Sequence, residues 1–460
     1  MKEKEAAENT LGSEKIPKLL ASLAIPAVVS NLVNAMYNIV DQIFIGQGVG
    51  YLGNAATSIA FPITTICLAL GLMTGLGGAS NFNIQQGKNN TEDAKKIIQT
   101  AVWMSVVSGA LICIIIRIFL DPLMVLFGAT EQIISYARQY STITSWGIPF
   151  FIFSTAVNPL IRADKRSTYS MMALISGAVL NIILDAVFIL VFDWGMSGAA
   201  WATVIGQALS AVILAVCLAR FRSVKFTLKK FLPDFNSFKV IVTVGMSSLI
   251  YQISTMFVQI ITNNVLKNYG GLSDYGSDIP ISISGIVTKI NVIFTSFVIG
   301  IVQGAQPISS YNYGIENGAR VHEVVKLLMK VTFIISIIAF AVFEFFPTQI
   351  ISVFGEESDQ YFKFGTKFMR IYLFFTFLNG MQIAGMTFFQ TIGKAGKGVI
   401  VSLIKQVVFL IPLLLILPKF IGIDGIMYAT PVSDLFSFFI TISLLILEIK
   451  KIPADKKPSL

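Results

Sequence analysis

Twelve apolar runs, each long enough to cross the hydrocarbon of a bilayer, follow one another along this chain. They fall at about 18–45, 55–84, 95–119, 132–160, 167–192, 196–219, 238–266, 279–310, 321–346, 361–391, 399–418 and 423–448. A spanning helix needs roughly 20 mostly apolar residues, and the polar stretches between the runs are too short to fold alone. Lipid offers the backbone no hydrogen bonds, so each run is read as a helix. Only 13% of the 460 residues are charged, against about a quarter in soluble domains. Several runs exceed the minimum, which predicts tilted or protruding helices. The polar start of the chain has no cleavage site after a short apolar region, so the first run is expected to insert and stay. The fold class expected is an all-α membrane protein of twelve transmembrane helices.

Charge placement sets an expected orientation. With the N-terminus cytoplasmic, alternate loops collect Lys88, Lys95 and Lys96; Arg162, Lys165 and Arg166; Arg220, Arg222, Lys225, Lys229 and Lys230; Arg320 and Lys326; Lys394 and Lys397; and the tail lysines Lys450, Lys451, Lys456 and Lys457. The opposite loops are poorer in lysine and arginine and carry Asp121, Glu131, Glu356 and Glu357. An excess of Lys and Arg marks cytoplasmic loops, so a multi-pass protein of the cell membrane with both termini inside is expected. The net charge of +9 is then topology charge facing anionic lipid, and no nucleic-acid partner is expected. Cys67, Cys113 and Cys217 sit in apolar runs without metal-ligand spacing and are read as packing residues.

The chain also resembles itself. Gly77, Gly87 and Phe127-Gly128 recur as Gly304, Gly314 and Phe354-Gly355, and GMSGAAWAT from Gly195 recurs as GIDGIMYAT from Gly422, always 227 residues on (304 − 77). Six spans per half make the repeats parallel, related by a pseudo-twofold axis along the membrane normal with a central cleft between them. The expected organisation is a tail at 1–17, an N-lobe at 18–219, a linker at 220–237, a C-lobe at 238–448 and a tail at 449–460.

Polar residues at membrane depth carry the functional reading. In the first run Asn34, Tyr37, Asn38 and Asp41 share one helix face; the fifth holds Asn181 and Asp185, and the sixth Thr203. Counting 1.5 Å per residue, Asp41, Asp185 and Thr203 each lie roughly 12–14 Å below the outer end, so they can converge. A carboxylate facing lipid is expensive. Two of them in one site can exchange a proton, and with the Asn and Thr oxygens could hold Na⁺. The alternative is a structural pair or snorkelling edge groups. The 227 offset places Pro412 opposite Asp185, and the seventh and tenth runs lack interior carboxylates; coupling chemistry is therefore assigned to the first half. Lys289 either faces the cleft, binding anionic cargo or a carboxylate, or is a structural lysine. Lys405 is expected to snorkel toward the cytoplasmic end. Met256 belongs to a Phe- and Met-rich set, mostly packing residues, a few of which could line an adaptable cavity. Pro26 removes a hydrogen bond within the first helix and permits bending; Gly71, Gly75 and Gly304 are read as close-packing positions.

These segments resemble the multidrug and toxic compound extrusion family, especially its DinF-like branch with a MepA-like opening. The resemblance rests on IPAVVSNLVNAMYNIVDQIFIG, FPITTI with GLGGASNFNIQQGKNN, GIPFF, NIILDAVFI and GMSGAAWAT, and covers nearly the whole chain. It implies two six-helix lobes around a V-shaped cleft and export of cationic or amphipathic organic compounds against inward H⁺ or Na⁺. It further implies a cation site at Tyr37, Asp41, Asn181, Asp185 and Thr203, a cleft asparagine at Asn158 and a hinge at Pro26. The carboxylates that NorM-like members carry in helices seven and ten are missing, which argues against a C-lobe Na⁺ site. A lipid or lipid-linked oligosaccharide flippase is the alternative. An intramembrane enzyme is disfavoured, since the single histidine, His322, is expected in a cytoplasmic loop. No cofactor is expected beyond the coupling ion, and a monomer is expected.

Overall fold

A computed structural model describes residues 10–127, 129, 131, 133–223, 232–276, 278–353 and 359–453. Within them the chain is helical throughout. The first half forms α1 (Ile16–Gly48), α2 (Tyr51–Gly87), α3 (Thr91–Ile118), a short α4 (Leu120–Leu126), α5 (Ile134–Thr144), α6 (Ile148–Ala163), α7 (Ser167–Asp185) and α8 (Gly195–Ala219). The second forms α9 (Phe235–Gly271), α10 (Asp278–Gly314), α11 (Gly318–Phe345), a short α12 (Pro347–Ser352), α13 (Asp359–Tyr372), α14 (Thr376–Thr391), α15 (Ala395–Leu403), α16 (Ile411–Ile421) and α17 (Asp424–Ile449).

Ten spans among the described residues are long and apolar enough to cross a membrane. An eleventh is the pair α13–α14, bent by 45° at a short break. The remaining predicted span, 132–160, is α5 and α6 joined by a 3₁₀ turn at Ser145–Gly147. Gly147 has no room for a side chain there, since a Cβ would lie 2.4 Å from Gln207 Oε1 of α8.

The internal repeat is carried by the backbone. The bounds of α2 and α3 map onto those of α10 and α11 with the 227 offset unchanged. Asn90 and Asn317 cap their helices identically, each side chain accepting from the backbone N–H three residues on, and the residues before them, Asn89 and Glu316, both have positive φ. Gly195 and Gly422, both at positive φ, open the last span of each half. The Phe127-Gly128 and Phe354-Gly355 correspondence, with Glu356, Glu357, Lys225, Lys229, Lys230, Lys456 and Lys457, lies partly or wholly outside the described residues. For α1 and α9 the offset is different. A Cβ on Gly300 would meet the Val28 backbone at 2.5 Å and one on Gly304 the Ala24 backbone at 2.5 Å, while their counterparts Met73 and Gly77 meet Gly245 and Ile241. Val28 and Ala24 thus correspond to Gly245 and Ile241, 217 residues on, and the missing ten residues lie in the longer α9 and the connection after it.

These contacts join the halves in a crossed manner. α1 packs on α10 and α2 on α9. Leu19, Leu20, Leu23 and Ala24 of α1 belong to the core of the second lobe, whereas Ile45 at the other end of the same helix belongs to the first; likewise Ile241 of α9 is buried in the first lobe and Val258 in the second. Pro26 lies at that crossover, and α1 runs through it without interruption. At the end where Gly12 and Pro453 pack against Tyr311 and Gly318, the lobes touch directly, with a Gly87 Cβ meeting Tyr311 O at 2.5 Å and a Gly314 Cβ meeting Ile84 O at 2.5 Å. Side chains seal the same region. Gln306 Nε2 donates to Ser80 Oγ at 2.7 Å, and Asn31 Nδ2 donates to Gln303 Oε1 at 3.3 Å. Below them Leu11 is fully buried; its carbonyl accepts from Asn312 Nδ2 at 2.9 Å and Arg320 at 3.2 Å.

The predicted packing roles are met. Gly71, Gly75 and Gly304 all lie where a Cβ would strike a neighbouring helix, and the three cysteines are buried thiols. His322 is not in a loop: it lies in the first turns of α11, its Nε2 2.9 Å from Ile452 O.

Candidate cation site

Five carboxyl side chains are buried among the described residues: Asp41, Asp164, Asp185, Asp434 and Glu448. Three have the partners that burial demands. Asp164 accepts from Arg222 N, Ser223 N and Ser223 Oγ at 2.9, 2.9 and 2.6 Å. Asp434 pairs with Lys405 at 2.8 Å, and Glu448 is held by Lys394 and Lys397. Asp41 and Asp185 are the exceptions. Asp185 is fully buried, and its carboxyl lies within hydrogen-bonding reach of Asp41. Otherwise both Asp185 oxygens, Asp41 Oδ1 and both amide atoms of Asn181 lack a protein partner. Neither carboxyl has an ion-pair partner among the described residues.

Local sequence explains the convergence. Gly177 of α7 and Gly206 of α8 face each other so closely that a Cβ on Gly206 would lie 2.7 Å from Gly177 O and 3.0 Å from Asn181 Cβ. That brings the Asn181–Asp185 edge of α7 beside α8, while its other side packs on α1. Directly after Asp185 the span turns π-helical over Ala186–Val191, a distortion frequent at functional sites.

Of the predicted set, Asp41, Asn181 and Asp185 are brought together, with Tyr37 close to both carboxyls. Thr203 joins through a residue that the sequence reading missed: Tyr140, on α5, hydrogen-bonds Thr203 and lies beside Asp41, Asp185 and Tyr37. The available signal in the fourth predicted span was a polar tyrosine about one turn before the helix break. The arrangement is acid- and oxygen-rich with no resident base. A carboxyl–carboxyl hydrogen bond requires a proton on one partner; a small monovalent cation would find the Asp41, Asp185 and Asn181 oxygens, with Thr203, as donors.

The other predicted residues lie elsewhere. Asn34 is exposed on α1, accepting from Asn38 Nδ2. Asn158 is buried and its Oδ1 accepts from Arg162 of the same helix. Lys289 and Met256 are half-buried on α10 and α9, and no carboxylate pairs with Lys289 among the described residues. Lys405 does not snorkel. It is half-buried in an ion pair with the buried Asp434 on α17, so the C-terminal half does hold an interior acid, on its last span.

The sequence profile of the MatE family matches residues 26–187 and 240–416, one stretch in each half, and the chain belongs to this family of multi-pass membrane proteins. It is 22% identical over 444 residues to the multidrug export protein MepA of Staphylococcus haemolyticus (strain JCSC1435), covering 95% of each chain. Among solved structures it is similar to an outward-facing multidrug resistance MATE family transporter of the MOP superfamily (TM-score 0.90, 22% identity, 98% of this chain and 99% of that one). It is also similar to a MOP superfamily transporter from Pyrococcus furiosus (TM-score 0.89, 22% identity, 96% and 98%). At these identities the structural likeness establishes the two-lobed fold.

Proposed function

We propose that this chain is a secondary multidrug exporter of the plasma membrane, moving cationic or amphipathic organic compounds out by alternating access in antiport with H⁺ or Na⁺. The end that carries both termini is then cytoplasmic, and the functional unit is the monomer. The observation that carries the reading is the buried Asp41–Asp185 pair, which leaves acceptor oxygens without donors while the other buried acids among the described residues are all partnered. A charge held in a dry site is stabilised only by a counter-charge, so the pair is poised to take a cation from whichever side it faces. The MepA relatives' role in multidrug export supplies the substrate class.

In this reading the ion enters the Asp41–Asp185 site from outside and removes net charge from the junction of α1 and α7. α1 then shifts about Pro26, the compound leaves, and the emptied lobes rock apart at Gly87 and Gly314. Asn34, Met256, Asn158 and Lys289 are assigned to the substrate path.

The test is transport in proteoliposomes loaded with a fluorescent organic cation, under a pH gradient or a Na⁺ gradient. Dye movement driven by one gradient and abolished by Asp41→Asn or Asp185→Asn is expected. Gradient-driven export that survives in both variants would sink the coupling assignment. No dye movement under either gradient would remove drug export and direct the assay to lipid pyrophosphates, the flippase alternative.

A further inference from the structure

The second lobe contains a polar cluster that the first-lobe site leaves unexplained. The ammonium of Lys405 forms an ion pair with Asp434 Oδ1 at 2.8 Å and donates to Gln382 Oε1 at 3.1 Å and Asn379 Oδ1 at 3.3 Å. Three oxygens, one carboxylate and two amides drawn from α14 and α17, surround this head group. This is the donor chemistry that hard cations select. The side chains of Lys405 and Asp434 are 15% and 6% exposed. Each lies ten residues into its span from Ala395 or Asp424, roughly 15 Å, too deep for an interfacial charge.

The surroundings hold that head group in place. Lys405 belongs to a second π-helical segment, Ile404–Leu410, on the span that corresponds to α7, where the π turn follows Asp185. Its own carbonyl accepts from Ser433 Oγ at 2.9 Å. Tyr372 hydrogen-bonds Thr430 as Tyr140 bonds Thr203, Thr430 being the 227-offset counterpart of Thr203. Alongside runs a cavity of about 10 Å³ bordered by Tyr251, Gln382, Met386, Ser402 and Lys405, enough for about one water. The two lobes thus build comparable polar nests from corresponding spans. In the first, acids lack a counter-charge; in the second, the chain supplies one.

We propose that the Asp434, Gln382 and Asn379 oxygens form a monovalent-cation site in the second lobe, which the chain fills with the Lys405 ammonium as a tethered resident cation. Asp434 therefore needs no exchangeable ion, and free-ion binding is confined to the first lobe. An ion pair that merely bolts α17 to its neighbours would not accept a substitute cation once the lysine head is removed; a resident-cation site does.

The experiment is thermal unfolding of the purified full chain in detergent, in chloride salts of K⁺, Na⁺ or methylammonium, against N-methylglucamine, which is too bulky to enter, at equal ionic strength. Every variant carries Asp41→Asn so that the first-lobe site does not supply the response. Lys405→Ala is expected to melt lower than its parent in N-methylglucamine and to gain about 3 °C or more, saturably, with at least one small cation. Adding Asp434→Asn should abolish the gain. Lys405→Met, which keeps the apolar stem and removes only the charge, guards against collapse of the emptied space. Identical melting of both folded lysine variants in all four salts overturns the proposal, as does a gain that survives Asp434→Asn. Failure to recover either variant as folded protein in any of the small cations also overturns it, since a supplied cation ought to replace the missing head group.

Discussion

Buried carboxyl groups in this chain divide by what they touch. Asp164 turns its oxygens to the start of the connection between the lobes, through Arg222 and Ser223; Asp41 Oδ1 and both Asp185 oxygens have no donor beyond the facing carboxyl. Glu448, almost fully buried, is the third pattern, a single acid clamped by Lys394 and Lys397 where the α14–α15 turn meets the end of α17. That clamp makes a pH-dependent prediction. The hydrogen bond to Glu448 holds the Lys394 ammonium above its ordinary value of 10.5, against an opposing desolvation effect. The folded state binds this proton more tightly than the unfolded state, so the stabilisation is fully present below the ordinary lysine value and is lost as pH rises through the folded value. Glu448→Gln should therefore cost about 1–2 kcal/mol near neutrality, discounted because both lysines are partly exposed. Melting curves of wild type and variant should draw together as the pH rises through the raised lysine value; a gap that stays constant up to the highest pH at which both still fold would refute the clamp. Much at this scale was legible in the sequence: Asp41, Asn181 and Asp185 announce themselves because charge and amide at membrane depth have few uses. Tyr140 and Lys405–Asp434 were not legible. A tyrosine near a helix break resembles an interfacial anchor, and the lysine and its acid lie on different spans, neither at the 227-offset counterpart of Asp185.

Helices here are defined by close approach as much as by apolarity. α10 lays Gly300 and Gly304 directly on the backbone of Val28 and Ala24, so the stretch of α1 around Pro26 is braced by the opposite lobe. A glycine pair four residues apart is the usual device for such contact in membranes. Gly304→Val places methyl groups where a bare Cβ already sits 2.5 Å from the Ala24 backbone, and overpacking of this kind costs about 1–3 kcal/mol. Because the collision is between lobes, the expected result is separation at the end carrying the termini. A cysteine at Ser80, buried in the closed arrangement, should react with a polar maleimide faster in Gly304→Val than in the parent. Gly285→Val, on the same helix with no atom within 4 Å of its Cβ, serves as the control and should leave the rate unchanged. Equal rates in all three would show that the glycine contact does not set the lobe equilibrium. Apolar runs revealed ten of these spans because length and hydropathy suffice for an uninterrupted helix. They could not show the breaks at Ser145–Gly147 and between α13 and α14, which arise from packing against α8 and α17. Nor did a single offset of 227 reveal the shift to 217 for α1 and α9, since insertions in a connecting segment leave glycine spacing intact on either side.

At the scale of the whole molecule, the two lobes exchange helix ends: the first part of α1 is core to the second lobe and the first part of α9 is core to the first. An interface built this way suits the proposed alternating-access cycle, in which α1–α10 and α2–α9 would act as paired levers about the pseudo-twofold axis. The parallel repeat was readable from glycine positions alone, yet the crossing was not, because hydropathy reports burial without naming the partner. In the proposed cycle the contacts at Ser80, Gln306, Gly87 and Gly314 would have to break once per turnover. Ser80 and Gln306 touch at 2.7 Å, and the native cysteines are all buried, so cysteines at this pair can be bridged selectively by a short bis-methanethiosulfonate reagent. Bridged Ser80→Cys/Gln306→Cys protein should bind a fluorescent organic cation from the outer side yet lose at least about ten-fold in transport rate, with recovery on adding reductant. Each single-cysteine variant treated alike should transport normally. Full transport by protein shown to be bridged would mean that the lobes need not part along this seam, and that substrate crosses within one lobe, beside α7 and α8, without the rigid-body exchange that the crossed helices are built to support.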